Sequence, residues 1–193
     1  VADLGLDTEP AATETTDVER FAPSAAKGKL GSSDVMALET VQIDDRAYTR
    51  ARALLLMNAE RKGDEAASKR YLDQLMMLPE NQYNPVYLSD LGRYYVNRKQ
   101  YDRALQEATL AERYWARLPP ELVFSKKAEI YETQAAAWQG RFYQSGDDLE
   151  MLDQAIRHWQ KYRDHVQTKS RTDLVGKADA ELAKLEDIQR RLN

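Results

Sequence analysis

The chain has 193 residues, with 28 Lys and Arg against 32 Asp and Glu and a net charge of −4. It contains no cysteine, which excludes a disulfide framework, thiolate catalysis and cysteine-ligated zinc. No apolar run approaches the ~20 residues needed to span a bilayer, and no secretory leader is visible.

Charge is divided unevenly. Residues 1–45 carry ten acids and three bases, whereas the remaining 148 residues carry 22 acids and 25 bases. A net of +3 over that remainder is too small for a nucleic-acid platform. Residues 1–32 are rich in Ala, Thr, Glu, Pro, Gly and Ser and lack periodicity. Such a segment buries too little apolar surface to offset its ordering entropy. Residues 1–44 are therefore expected to be an acidic low-complexity tail or linker, disordered or extended. Leu4, Leu6 and Phe21 are its isolated apolar points, and Ser33 or Asp34 could cap a short helix holding Val35, Met36, Leu38 and Val41.

From Asp45 the pattern turns helical. Tyr48, Arg52, Leu55, Leu56 and Ala59 share one face, Gly63-Asp64 makes a turn, and Ala67, Tyr71, Leu72, Leu75 and Leu78 line a second helix stopped by Pro79. The stretch Leu88–Ala111 is the clearest. Leu88, Leu91, Gly92 and Tyr95 coincide on one face at 3.6 residues per turn. Ala104, Ala108 and Ala111 form a small-residue face on the next helix, which Tyr101 opens. A mid-helix glycine costs about 1 kcal/mol against alanine, so Gly92 is expected to gain a close backbone approach.

After Pro119-Pro120 a long helix carries Phe124, Ala128, Tyr131, Ala135, Trp138 and Phe142, and Ala155, Trp159 and Tyr162 follow on the next. Thr172–Leu192 closes the chain with Val175, Ala178, Leu182, Leu185, Ile188 and Leu192 on one face and charges elsewhere, as a terminal cap requires.

Leu88, Leu91, Gly92, Tyr95, Ala104, Ala108, Ala111 and Pro119 resemble the tetratricopeptide repeat (TPR). Leu88 replaces the usual Trp, Ala108 the usual aromatic, and the Pro lies late. The resemblance implies an all-α fold, an α-solenoid of stacked antiparallel helix pairs with about seven helices. Its repeats fall at about 45–79, 84–118 and 120–168, with a capping helix at 172–192. Together these form a helical domain spanning 45–193. It also implies a concave groove lined by first helices. Offset from the packing positions, the groove-facing residues are Arg50 and Met57, then Ser89, Arg93 and Asn97, then Gln134, Arg141 and Gln144. Arg93 and Arg141 each follow a glycine and are expected to point the same way. Two guanidiniums suit a carboxylate or acidic peptide.

No catalytic constellation is expected. His158 and His165 share a helical face two turns apart, about 10.5 Å, too far for one metal. Asp147, Asp148, Glu150 and Asp153 enter a helix, where the dipole favours acids without any ion. Neither a phosphate loop nor a nucleophile elbow occurs. The expectation is a non-enzymatic interaction scaffold, without cofactor or metal, binding a protein or peptide as part of a larger bacterial assembly. The alternative is an oligomerisation element pairing through Thr172–Leu192. The start at Val1 and the low-complexity tail suggest, by analogy, a tethered envelope protein, such as a periplasmic lipoprotein. The charge split suggests that the acidic tail folds over the repeats and occupies the groove.

Overall fold

The computed structural model describes residues 17–146 and 148–192, and among these it is all-α, with no β-strand. Nine α-helices occur among the described residues. The chain divides into two compact units, Val1–Tyr71 and Leu72–Asn193.

The first unit contains α1 (Ala22–Ala25), α2 (Ser32–Glu39) and α3 (Tyr48–Lys62). It also holds most of α4 (Glu65–Met76), which continues into the second. Gly63 ends α3 with φ +69°, a left-handed conformation that favours glycine, and its N–H donates to Ala59 and Glu60 carbonyls. Asp64 then caps α4 by accepting from Ala67 N–H at 3.0 Å.

The described part of the acidic segment is folded. Helices α1 and α2 pack on α3, and Val18, Ala25, Leu30, Leu38 and Val41 are buried. These apolar residues have irregular spacing because the chain reverses between short helices, so no single period marks them. Arg52 supplies what composition could not reveal. Its buried guanidinium donates to the carbonyls of Leu38 (2.6 Å), Glu39 (3.1 Å) and Val41 (3.3 Å). It thereby satisfies the orphan acceptors at the end of α2, while its own cation lies over the Tyr48 ring. The expectation of a tail over residues 1–16, with Leu4 and Leu6, lies outside the described residues.

The second unit holds α5 (Pro85–Asn97), α6 (Tyr101–Tyr114), α7 (Val123–Ser145), α8 (Leu149–Gln167) and α9 (Thr172–Leu192). Each helix packs on the next, and α5 also packs on α7. Pro85 opens α5 behind Asn84, whose side chain accepts from Val86 N–H. Asp148 caps α8 by accepting from Met151 N–H, so this acid serves a helix end; Asp147 is outside the described residues. The core of α7, α8 and α9 gathers Ala135, Phe142, Leu152, Ala155, Trp159, Tyr162, Ala178, Leu182 and Leu185. The apolar face of α9 is thus spent on the chain's own helices.

Small residues set the close contacts. A Cβ on Gly92 would lie 3.1 Å from Thr133 Cγ2 and 3.5 Å from both the Ala104 carbonyl and the Ala108 amide. Ala104, Ala108 and Ala111 are fully buried. Gly92 therefore admits α6 and α7 together, the close approach its helical cost foreshadowed.

Candidate functional site

The face of interest in the second unit is made by α5, α7 and α9. Asp90, two residues before Gly92 and about 160° from it round α5, is buried, and that burial raises its carboxyl above the ordinary carboxylate range despite the cations beside it. It is met by Lys126 of α7, whose ammonium lies 2.7 Å from Asp90 Oδ1 and 2.7 Å from Glu129 Oε2. Ser89, fully buried, donates to Glu129 at 3.3 Å. Arg93 spans the rim, 3.6 Å from Asp90 and 4.0 Å from Glu129. Burial works against the charge on Lys126, but the carboxylates of Asp90 and Glu129 outweigh it and hold the ammonium above its ordinary value. On its other flank, about 120° round the helix from Lys126, α7 meets α9, where Lys177 meets Glu132 at 2.6 Å and Gln139 donates to Glu181 at 2.8 Å. Lys184 also holds Glu181, at 2.6 Å.

The eight expected groove residues are divided between the two units. Arg50 and Met57 belong to the first unit, and the other six to the second. Arg50 grips Glu19 with two hydrogen bonds, 2.6 and 2.9 Å long, and Met57 is half-buried. Ser89 and Gln134 are buried; Gln134 donates to Glu112 of α6 at 2.6 Å. Both make internal contacts, Ser89 to Glu129 and Gln134 to Glu112. Arg93 and Asn97 are exposed on α5, and Gln144 is exposed on α7.

Arg141 departs from expectation most. It lies over the Trp138 ring and 3.3 Å from Asp102 of α6. Arg93 instead faces α7. Counting round α7 at 3.6 residues per turn, Arg141 sits about 120° from Glu129 and Gln134 about 140° from it. The two Gly-Arg pairs therefore do not point the same way. The reason is that Gly140 receives Tyr101 from the start of α6, not a residue of α8. The α7 residues that meet α5 include Lys126, Glu129, Ile130 and Thr133. A usable signal existed in the sequence: Lys126 and Glu129 are three residues apart and reach a common partner from one helical face.

The histidines have separate surroundings. His165 Nε2 lies 2.9 Å from the Phe124 carbonyl, and its ring stacks on Phe124. His158 stacks on Trp138, and burial with the nearby Lys161 charge lowers it to about 4. Trp159 donates from Nε1 to Gln139 at 2.7 Å in the core. Among the described residues, no three His, Asp or Glu side chains are placed to hold a metal ion. No helix among them is long and apolar enough to cross a membrane. Comparison with protein-family models, with curated proteins and with solved structures returns no match.

Proposed function

We propose that this chain is a non-enzymatic scaffold whose helix pairs stack in the manner of tetratricopeptide repeats, and that α5, α7 and α9 present its partner-binding face. The supporting observation is the row of charged residues carried by these three helices. Asp90, Arg93, Lys126, Glu129, Glu132, Lys177, Glu181 and Lys184 form paired contacts along it. Its rim groups, Arg93, Glu129, Glu132 and Lys177, keep part of their side chains in solvent. Exposed pairs of this kind contribute about 0–1 kcal/mol each to folding, so exchanging them for a partner's charges costs little.

The partner class follows from the balance of signs. Four acids face four bases in that row, which favours a protein surface bearing both charges over an acidic peptide. Opposed charges of this kind set specificity and encounter rate more than affinity. The oligomerisation reading is less supported, because Leu182 and Leu185 of α9 are buried in the core it shares with α8.

The experiment is affinity capture with the full chain, comparing wild type, Arg93→Glu, Glu129→Lys and Arg141→Ala. Loss of the captured partner with the first two variants and retention with the third supports the reading. Equal capture by all four sinks it.

A further inference from the structure

In the first unit one residue is held by both of its backbone polar groups. Leu30 N–H donates to Asn58 Oδ1 at 3.1 Å, in a buried position, and Lys62 Nζ donates to the Leu30 carbonyl at 3.3 Å. Asn58 and Lys62 are four residues apart, so they project from one face of α3 a turn apart. The Leu30 side chain is 4% exposed. Two residues upstream, Gly28 has φ +67°, and a Cβ there would come within 2.9 Å of Arg61 Cβ. Glycine is required at that point by conformation and by space.

Farther upstream Glu19 is gripped by Arg50 of the same helix. Beside Leu30 lies a cavity of about 280 Å³, lined by Leu30, Ser32, Val35, Met36, Glu39 and Lys62. Met36 is exposed there. Bonds to a backbone N–H and C=O are indifferent to side-chain identity, so the pair Asn58–Lys62 recognises an extended residue as such. Specificity is left to the burial of the leucine side chain, to the glycine two positions before it, and to the acid that Arg50 meets.

We propose that this face of α3 is a peptide-recognition site, filled in cis by the chain's own Gly28–Gly31. In trans it takes a peptide that folds as a short helix and turn, with a leucine two residues after a glycine and an acidic residue toward its N-terminus. Lifting residues 17–31 uncovers Val18, Ala25 and Leu30, while Arg52 anchors the end of α2 and keeps Ser32–Glu39 in place. The Glu19–Arg50 pair is exposed and weak on the scale of such pairs. This site is separate from the α5–α7–α9 face, and its probe is a peptide of this chain, so either reading can fail alone.

The test uses a fluorescein-labelled peptide with the sequence of residues 17–31, titrated into the full chain. Gly28→Val weakens the cis segment through backbone strain and through its clash with Arg61 of α3. Because cis occupancy reduces the competent fraction, the variant should bind the peptide at least ~10-fold tighter than wild type. Adding Asn58→Ala to it should reverse that gain. Equal binding by wild type and Gly28→Val, or undiminished binding after Asn58→Ala, overturns the proposal. Should Gly28→Val fail to fold, hydrogen exchange on the wild-type protein decides. The Leu30 amide is expected to exchange at least ~100-fold faster than that of Ala135 in α7, through local opening. Equal protection of the two amides overturns the proposal as well.

Discussion

The ring of Tyr101 occupies the space that a side chain at Gly140 would need. The start of α6 is thereby keyed into the C-terminal half of α7, and Gly140 is buried by it. Gly140→Ala should destabilise the protein by about 1–3 kcal/mol through overpacking. In a Tyr101→Ala background the same change should become neutral or stabilising, since alanine is about 1 kcal/mol better than glycine within a helix. A double-mutant cycle by urea denaturation measures the coupling, and strict additivity would contradict the contact.

Asp90 and Lys126 form a second test. Lys126→Met leaves the buried Asp90 carboxyl with only the more distant Arg93, 3.6 Å away, and should cost up to about 3–5 kcal/mol. Asp90→Asn combined with Lys126→Met should recover part of that loss, because no uncompensated charge stays buried. Midpoints of chemical denaturation for the single and double variants give the comparison. A double variant less stable than Lys126→Met alone would refute the account.

Much of this architecture could be read from the sequence. Seven helices, α3 to α9, fall where apolar periodicity, Gly63 and the prolines put them, because each buries one continuous stripe. Two things were hidden. A short helix around Val35, Met36 and Leu38 was legible and is α2, but the packing of residues 17–41 depends on Arg52, Asn58 and Lys62 contacting backbone groups that have no sequence signature. The α7 face depends on which helix enters at Gly140, and Tyr101 answers that from 39 positions away. A glycine announces a close approach without saying who approaches.

His158 makes stability depend on pH. Its pKa is about 4 in the folded chain against an ordinary 6.5, chiefly through burial. The unfolded chain therefore binds more protons between these values, and stability rises with pH across that window. Below about pH 6.5 this contribution is progressively lost until about pH 4. After discounting for partial exposure the loss is of order 1–2 kcal/mol. His158→Gln should flatten the thermal-stability profile between those limits, and an unchanged slope would assign the dependence elsewhere.

Lys99 offers a stabilising substitution. It follows α5 with φ +58°, a conformation that costs a side-chain-bearing residue strain. Its N–H donates to Val96 O at 2.9 Å, so the geometry is held by the turn. Lys99→Gly should raise stability by up to about 1 kcal/mol as strain relief outweighs the entropy cost. A lower melting temperature in scanning calorimetry would show that the lysine is not strained.

The Arg52 anchor has a practical consequence for anyone shortening this polypeptide. A version starting at position 45, where composition alone would cut, strips the guanidinium of all three carbonyl acceptors and uncovers the side of α3 on which α1 and α2 sit. What remains would carry a stranded cation amid bare aliphatic surface, a recipe for sticky, poorly behaved material, whereas a start at position 17 keeps the clasp whole.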